Sequence, residues 1–383
     1  MRRANKALGR LALSDGIVIV GGGLAGAAAA TLLAQAGRRP LLLERTTGPH
    51  DKICGEFLSI EAQRHLAGVG LDAATLGGAS IDRLRLASGH RTVEARLPFR
   101  ALGLTRRRLD AALLDHAARS GTTVERGVTV RALTEGRLET SRGGLDPALT
   151  LLATGKHDVR GARRDASGTL DHLIGFKTYF RLGAQSRAAL AGFIEVVVFD
   201  GGYAGLQLVE DGVANLCLLI DRRRFDRAGG TWPGLLADLL AEPHLRRRLG
   251  DAVQLLDRPL TIAGVPYGFL HRAEPAGTIF RLGDQAAVIP SFSGDGMSIA
   301  LHSARLAAGA VLAGASAAAY HAGLRADVGR QVRLATWLQR GGEAPLLRPL
   351  ILGGLRLMPA AMRWLAASTR VPAPALRRAG LSA

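Results

Sequence analysis

With 383 residues, 48% of them apolar, the chain is long enough to fill more than one core, and two domains are expected. The formal net charge of +18 is arginine charge, since only Lys6, Lys52, Lys156 and Lys177 are lysines among the 50 basic residues, and these arginines are scattered while aromatics make up only 4%. Nucleic-acid binding, which wants clustered cations and stacking rings, is therefore disfavoured, and an alanine- and arginine-rich compositional bias with some attraction to anionic substrates or membrane surfaces is the better reading of the charge. Two cysteines exclude a disulfide framework, and the absence of Cys-x-x-Cys and His-Glu-x-x-His leaves no metal motif.

The first fifteen residues carry Arg2, Arg3, Lys6 and Arg10 but no apolar core, so a disordered basic tail is expected, not a secretory signal. Ile17 to Val20 then reads as a buried strand, followed by Gly21-Gly22-Gly23-Leu24-Ala25-Gly26, an alanine-rich helix, a second strand at Leu41 to Leu43, and Glu44 with Arg45. Gly21 permits the tight turn, Gly23 lets the backbone approach a pyrophosphate, and Gly26 lets the helix lie close to the strand. Leu24 and Ala25 open the helix whose positive end meets the phosphates. Glu44 stands 18 residues after Gly26, near the place of a carboxylate that accepts from an adenosine ribose hydroxyl. Gly16 to Gly37 is uncharged and long enough to span a bilayer, but its glycines and small alanines point to a buried strand and helix.

Beyond Glu44 a loop from Thr46 to Phe57 holds Cys54-Gly55-Glu56, and a helix is expected over about Ser59 to Ala67. Alternating segments at Ile81 to Leu86 and Thr92 to Leu97 read as a hairpin turning at Ser88-Gly89. A helix capped by Thr105 runs through Arg119 and stops at Gly121. Strands at Thr122 to Glu125 and Val128 to Leu133 lead to Leu149 to Ala153, apolar on both faces like a central parallel strand. From Leu173 to Ile220 the period is two, with strands at Ile174 to Leu182, Phe193 to Phe199, Gly205 to Glu210 and Ala214 to Ile220, which predicts an antiparallel sheet inserted as a separate layer. One helix is expected around Trp232 to Leu249, and the chain returns to the first domain from Thr261. A strand ending at Gly283-Asp284 precedes Pro290-Ser-Phe-Ser-Gly294-Asp295-Gly296-Met297 and a small-residue helix, with Leu306 to Leu324 read as its buried continuation.

These motifs resemble the FAD-dependent oxidoreductases of the para-hydroxybenzoate hydroxylase and geranylgeranyl reductase superfamily over about Ile17 to Leu312. The resemblance implies an α/β fold: a Rossmann-like FAD-binding domain with a parallel sheet, an inserted antiparallel-sheet substrate domain, and C-terminal helices. The expected division is a tail (1–15), a discontinuous FAD-binding domain (16–80, 100–160 and 261–325), a substrate-binding domain (81–99 and 161–260) and a C-terminal helical segment (326–383). It implies cofactor contacts from the first glycine turn, Glu44, Arg45, Cys54, Arg106 of the Arg-x-x-Leu-Asp pattern ending at Asp110, the backbone of Val130, Gly283, Asp284, Gly294, Gly296 and Met297. Ala153-Thr154-Gly155-Lys156-His157-Asp158 resembles the family's Asp-Gly motif with threonine in place of its aspartate. Cys54-Gly55-Glu56 combines the hydroxylases' Gly-Glu with the reductases' Cys-Gly, and Tyr203-Ala204-Gly205 is similar to a glycine-aromatic turn lining the reductases' cavity. No catalytic side chain is assigned, with Cys54 and Tyr203 as candidates and His157 behind them.

The activity so implied is an NAD(P)H-dependent monooxygenase hydroxylating a small apolar aromatic, quinone or polyketide-like substrate through a flavin C4a-hydroperoxide. The alternative is a geranylgeranyl-reductase-like enzyme reducing isolated C=C bonds of a prenyl lipid. Halogenation is a third reading, without the Trp-x-Trp-x-Ile-Pro signature. A cytoplasmic location is expected from the cysteine usage. The C-terminal stretch Leu346 to Leu365, with Arg348, Arg356 and Arg363 recurring on one helical side, either lies against the FAD domain or rests on the inner face of an anionic membrane.

Overall fold

The computed structural model describes residues 13–272, 277–343 and 368–382. Most of the expected basic tail and the whole of Leu346 to Leu365 lie outside the described residues.

The first sheet is parallel and five-stranded. Its strands β1 (Ile17–Val20), β2 (Leu41–Glu44), β6 (Thr123–Arg126), β10 (Leu149–Leu152) and β17 (Ile279–Arg281) run in the order β17-β10-β1-β2-β6. Alternation along these strands builds two cores. Ile17, Ile19, Leu42 and Leu151 face α1 (Leu24–Gln35), α3 (Arg106–Arg119) and α8 (Gly296–Leu312), while Val18, Val20, Leu41, Leu43 and Leu152 face a meander of β7 (Val130–Thr134), β8 (Arg137–Thr140) and β9 (Gly143–Leu145). Burial on both faces explains why these strands read as continuous apolar runs. β8 and β9 were not foreseen, because their charged, glycine-rich sequence carries little alternation.

The second sheet runs β15-β11-β14-β13-β12-β4-β5-β3, with β16 also pairing β11. Its strands are β3 (Phe57–Leu58), β4 (Ala79–Ser88), β5 (Arg91–Gly103), β11 (Leu173–Arg181), β12 (Gly192–Phe199), β13 (Gly202–Leu208), β14 (Ala214–Asp221), β15 (Val253–Gln254) and β16 (Leu260–Ala263). The sheet is mixed, which corrects the wholly antiparallel expectation: β12 pairs β4 in parallel. β4 reaches the sheet from the first domain, far from β12 in the chain, so no hairpin fixes their relative direction.

Period two divides this sheet cleanly. Phe176, Phe193, Val197, Leu206, Leu216 and Leu218 point back into a core with α4 (Ala184–Leu190), α6 (Trp232–Leu239) and α7 (Pro243–Leu249), beside the short α5 (Arg222–Arg227). The front face is laid out in cross-strand rows. One row is Tyr179, Asn215, Gln207, Ile194 and Leu84; the next is Lys177, Cys217, Gly205, Val196 and Leu86; a third is Gly175, Leu219, Tyr203 and Val198. Each row is made of directly paired residues, so its side chains share a face.

Two expected helices are interrupted. Trp232 to Leu249 is α6 and α7, broken where Pro243 starts a new first turn because it has no N–H to donate. Leu306 to Leu324 is the end of α8 and the start of α9 (Ala317–Glu343), separated at Gly314, whose φ of +67° suits glycine and ends a helix. The expected helix at Ser59 is α2 (Ile60–Ala67), with the Ser59 hydroxyl as its cap, and a short α10 (Ala373–Arg378) closes the described chain. Among the described residues no helix is long and apolar enough to cross a membrane.

Candidate functional site

Both glycine loops and the front face of the second sheet open onto one cavity of about 1420 Å³. Gly21, Gly23, Leu24, Ala25, Glu44, Arg45, Cys54, Arg106, Val130, Tyr203, Gly283, Asp284, Gly294, Gly296 and Met297 all line it, as does His157. Gly26 does not, and its role is underneath: a Cβ there would stand 1.9 Å from the Gly21 carbonyl oxygen, so only glycine lets α1 sit this close to the turn. A Cβ on Gly21 would meet the Ala153 carbonyl at 2.4 Å.

The first loop is an anion site built from backbone and two cations. A Cβ added to Gly23 would lie 3.4 Å from Lys52 Nζ and 3.6 Å from an Arg106 terminal nitrogen, so both charges stand over the glycine at the positive end of α1. Asp110 holds them there, accepting from Arg106 Nε and Nη2 at 2.8 and 2.9 Å and pairing Lys52 Nζ at 2.7 Å. Burial works against the Arg106 charge, but Asp110 outweighs it and keeps the guanidinium above its ordinary range. Glu44 accepts from the Gly22 N–H at 2.7 Å and from the Thr46 N–H and hydroxyl at 2.9 and 2.8 Å. Burial alone would raise the carboxyl, yet these donors hold it below its usual value, and a carboxylate's spare lone pairs can still receive a ribose hydroxyl. Arg45 reaches the His157 ring at 2.9 Å across the same mouth; burial first, then Arg45, pushes that imidazole down, so it is neutral at physiological pH.

At the second loop, Gly283 adopts φ +57° and Asp284 pairs Lys156 Nζ at 3.2 Å. Gly294, at φ +67°, turns the chain into α8, and among the described residues a Cβ at Gly296 would meet nothing within 4 Å, so the α8 N-terminus lines the cavity. Asp295 is turned away from it and fully buried, bonded by Gln331 at 3.2 Å and facing Arg370 at 3.7 Å. Burial pushes its carboxyl up to about 7, Arg370 opposing.

The loop from Lys52 to Phe57 joins the two halves and is gripped by the polar end of the sheet rows. Lys177 donates to the Lys52 carbonyl at 2.9 Å, Asn215 to the Gly55 carbonyl at 2.8 Å, and Gln207 to the Glu56 carbonyl at 2.8 Å. Glu56 holds φ +60° with its carboxylate against Lys177, both side chains fully buried. Tyr179 donates to the two Glu56 oxygens at 2.9 and 3.1 Å, and the Arg106 N–H donates at 2.8 Å. Cys54 Sγ accepts from the Glu56 N–H at 3.3 Å and interacts with the Arg106 guanidinium at the cavity edge. Tyr203 stands edge-on to Phe292, and burial raises its phenol well above the ordinary value, so it stays protonated.

Lys52, Lys156 and the Glu56–Lys177–Tyr179 group belong to no motif of the sequence that assigns them a role. A signal was present: in a chain whose positive charge is otherwise all arginine, three of four lysines converge on this loop and cavity.

The architecture fits an extended dinucleotide cofactor, with a phosphate cradle that side chains would fill, two cations over it, and a second helix N-terminus at the far end. A family model described as FAD binding domain matches residues 15–157. The chain carries an FAD-binding domain. The flavin-dependent halogenase armH1 of Armillaria mellea is 25% identical over 343 residues, 78% of this chain and 65% of that protein, so the chain spans just under two thirds of the length of that relative. Among solved structures, the flavin-dependent brominase Bmp2 superposes with a TM-score of 0.76 at 17% identity, covering 94% of both chains. A flavoprotein/dehydrogenase from Cytophaga hutchinsonii gives 0.76 at 19% identity, covering 92% of both. The FAD-binding domain thus sits in the fold expected from the sequence, a parallel sheet joined to a second, largely antiparallel sheet.

Proposed function

We propose that the protein is an FAD-dependent monooxygenase that hydroxylates an apolar, electron-rich aromatic, quinone or polyketide-like ring, with NAD(P)H as electron donor. The observation that carries this reading is the continuity of the cavity: at about 1420 Å³ it exceeds the usual range of about 300–1,000 Å³ for a single small-molecule site, and its far side includes the aliphatic residues of β12, β4 and β5. A cofactor and a second molecule would fit together in that one space. Bound FAD would supply electron storage and oxygen activation. Lys52, Arg106 and the α1 N-terminus would hold its pyrophosphate, Asp284 and Lys156 its ribityl region, and the positive end of α8 would favour negative charge at the ring's pyrimidine edge. One oxygen atom enters the ring C–H bond, the other leaves as water, and NAD(P)H is oxidised by two electrons.

Halogenation is the second reading, favoured by armH1 and Bmp2, whose names state that activity. The test is product analysis by mass spectrometry after the FAD-loaded protein meets NAD(P)H, oxygen, bromide and panels of phenols, quinones and prenyl lipids. Gain of one oxygen supports hydroxylation and gain of one bromine supports the second reading. Gain of two hydrogens on an alkene, without oxygen use, overturns both in favour of C=C reduction.

A further inference from the structure

The front face of the second sheet changes character from one edge to the other. On β11, β14 and β13 the rows carry Lys177, Tyr179, Asn215 and Gln207, which grip the loop. On β12 and β4 the same rows continue as Ile194, Val196 and Val198 opposite Leu84 and Leu86, with Leu97 of β5 beyond. These six aliphatic side chains line the cavity and are each only half-buried. The back-face neighbours Phe193, Val197 and Ala87 are fully packed. Where the two regions meet stands Gly205, whose Cβ would touch nothing among the described residues nearer than the Cys217 carbonyl at 3.5 Å, so the floor is left deep at the middle of the sheet. Half-buried aliphatic surface inside a cavity is what a protein keeps open for an apolar ligand.

We infer that this aliphatic arm takes a linear alkyl chain of the substrate, whose reacting head lies over Gly205. The inference rests on the hydroxylase reading only for the identity of that head. Strands lie about 4.8 Å apart, so three spacings from β13 to β5 make an arm of about 14 Å, room for a chain of roughly ten carbons. None of the six side chains is charged or aromatic, which suits a flexible saturated chain better than a stacked planar one.

The experiment uses calorimetric titration of the FAD-loaded full chain with 4-n-alkylphenols and n-alkanols from three to fourteen carbons. Kd is expected to fall about fourfold per added methylene, the equivalent of about 0.8 kcal/mol, up to about ten carbons and then to level. Val196→Trp and, separately, Leu86→Phe fill part of the arm and move the levelling point to shorter chains, with one equivalent of FAD taken up as evidence of folding. A Kd independent of chain length, or a levelling point unmoved in both FAD-loaded variants, overturns the arm. Chain-length dependence in the alkanols without hydroxylation of any phenol keeps the arm and removes the hydroxylase reading. Hydroxylation of phenols without chain-length dependence does the reverse.

Discussion

Replacing Lys177 by methionine removes the ammonium that faces Glu56 while keeping a chain of similar length. Both side chains are fully buried, and among the described residues Glu56 would keep the Tyr179 hydroxyl and the Arg106 N–H as donors. Breaking a buried ion pair from one side costs about 3–5 kcal/mol, because the remaining carboxylate is neither solvated nor neutralised. The carboxyl can escape part of this by taking a proton. Burial already pushes Glu56 above its ordinary value against the pull of Lys177, and without the ammonium it rises further. A folded-state value above the unfolded value of about 4.3 means that stability is retained at low pH and lost as pH rises toward the folded pKa, at about 1.4 kcal/mol per pH unit. Urea unfolding at pH 5 and pH 8 should therefore find Lys177→Met several kcal/mol weaker than the parent at pH 8 and distinctly less so at pH 5. The Lys177→Met/Glu56→Gln pair, which carries no buried charge, should recover much of the loss at pH 8. A single variant within 1 kcal/mol of the parent at pH 8, or an equal loss at both pH values, would refute the reasoning.

Asp295, pushed up to about 7, gives a stability contribution that is complete below about pH 4 and fades as pH rises to 7, about 4 kcal/mol over that window as an upper bound; in Asp295→Asn this part of the pH slope of unfolding free energy should vanish. His65 has the opposite sign: burial, then His302 and Arg305, push it down to about 3, so its share of stability is present above about pH 6.5 and fades as pH falls. Unfolding midpoints of His65→Leu should consequently drop less than the parent's between pH 7 and pH 5. In Gly26→Ala, the Cβ 1.9 Å from the Gly21 oxygen forces the turn apart, with an overpacking cost of about 1–3 kcal/mol and weakened FAD uptake in an absorbance titration. Arg106→Gln removes one charged donor from the pyrophosphate cradle, worth about 1.5–3 kcal/mol, and should raise the Kd for FAD roughly ten- to hundredfold with the urea midpoint as a control for folding.

The glycine turn, Glu44 and Gly283-Asp284 were legible in the sequence because each answers a local demand. A residue with positive φ, a close backbone approach or a strand end leaves its mark within a few positions. The strands of the second sheet were legible for a related reason, since burial of one face imposes period two whatever the strand pairs with. The parallel β12–β4 pairing was not, because it is set by contacts between segments with no common turn. Nor was the Glu56–Lys177 pair, 121 residues apart, because a lone glutamate and a lone lysine carry no spacing signal. Pro243 and Gly314 were visible as residues, but each sits inside an apolar run strong enough to suggest one helix; the lost N–H and the left-handed turn outweighed that periodicity.

The sheet rows show why cofactor and substrate spaces are coupled in this chain. Lys177, Cys217, Gly205, Val196 and Leu86 form a single row, each residue registered against the next. At one end the row fixes the loop that carries Lys52 to the phosphate cradle, and at the other it forms the aliphatic arm. Period two makes a one-residue slip intolerable, since it would turn Lys177 into the helix-covered core and Phe176 toward the loop. The packed back face, with Phe176 against Phe225 and Trp232, thus holds the register on which both functions of the front face depend. A substitution at Phe176, remote from the cavity side, is accordingly expected to loosen FAD binding and alkyl-chain selection together, whereas one at Val196 alters the second alone.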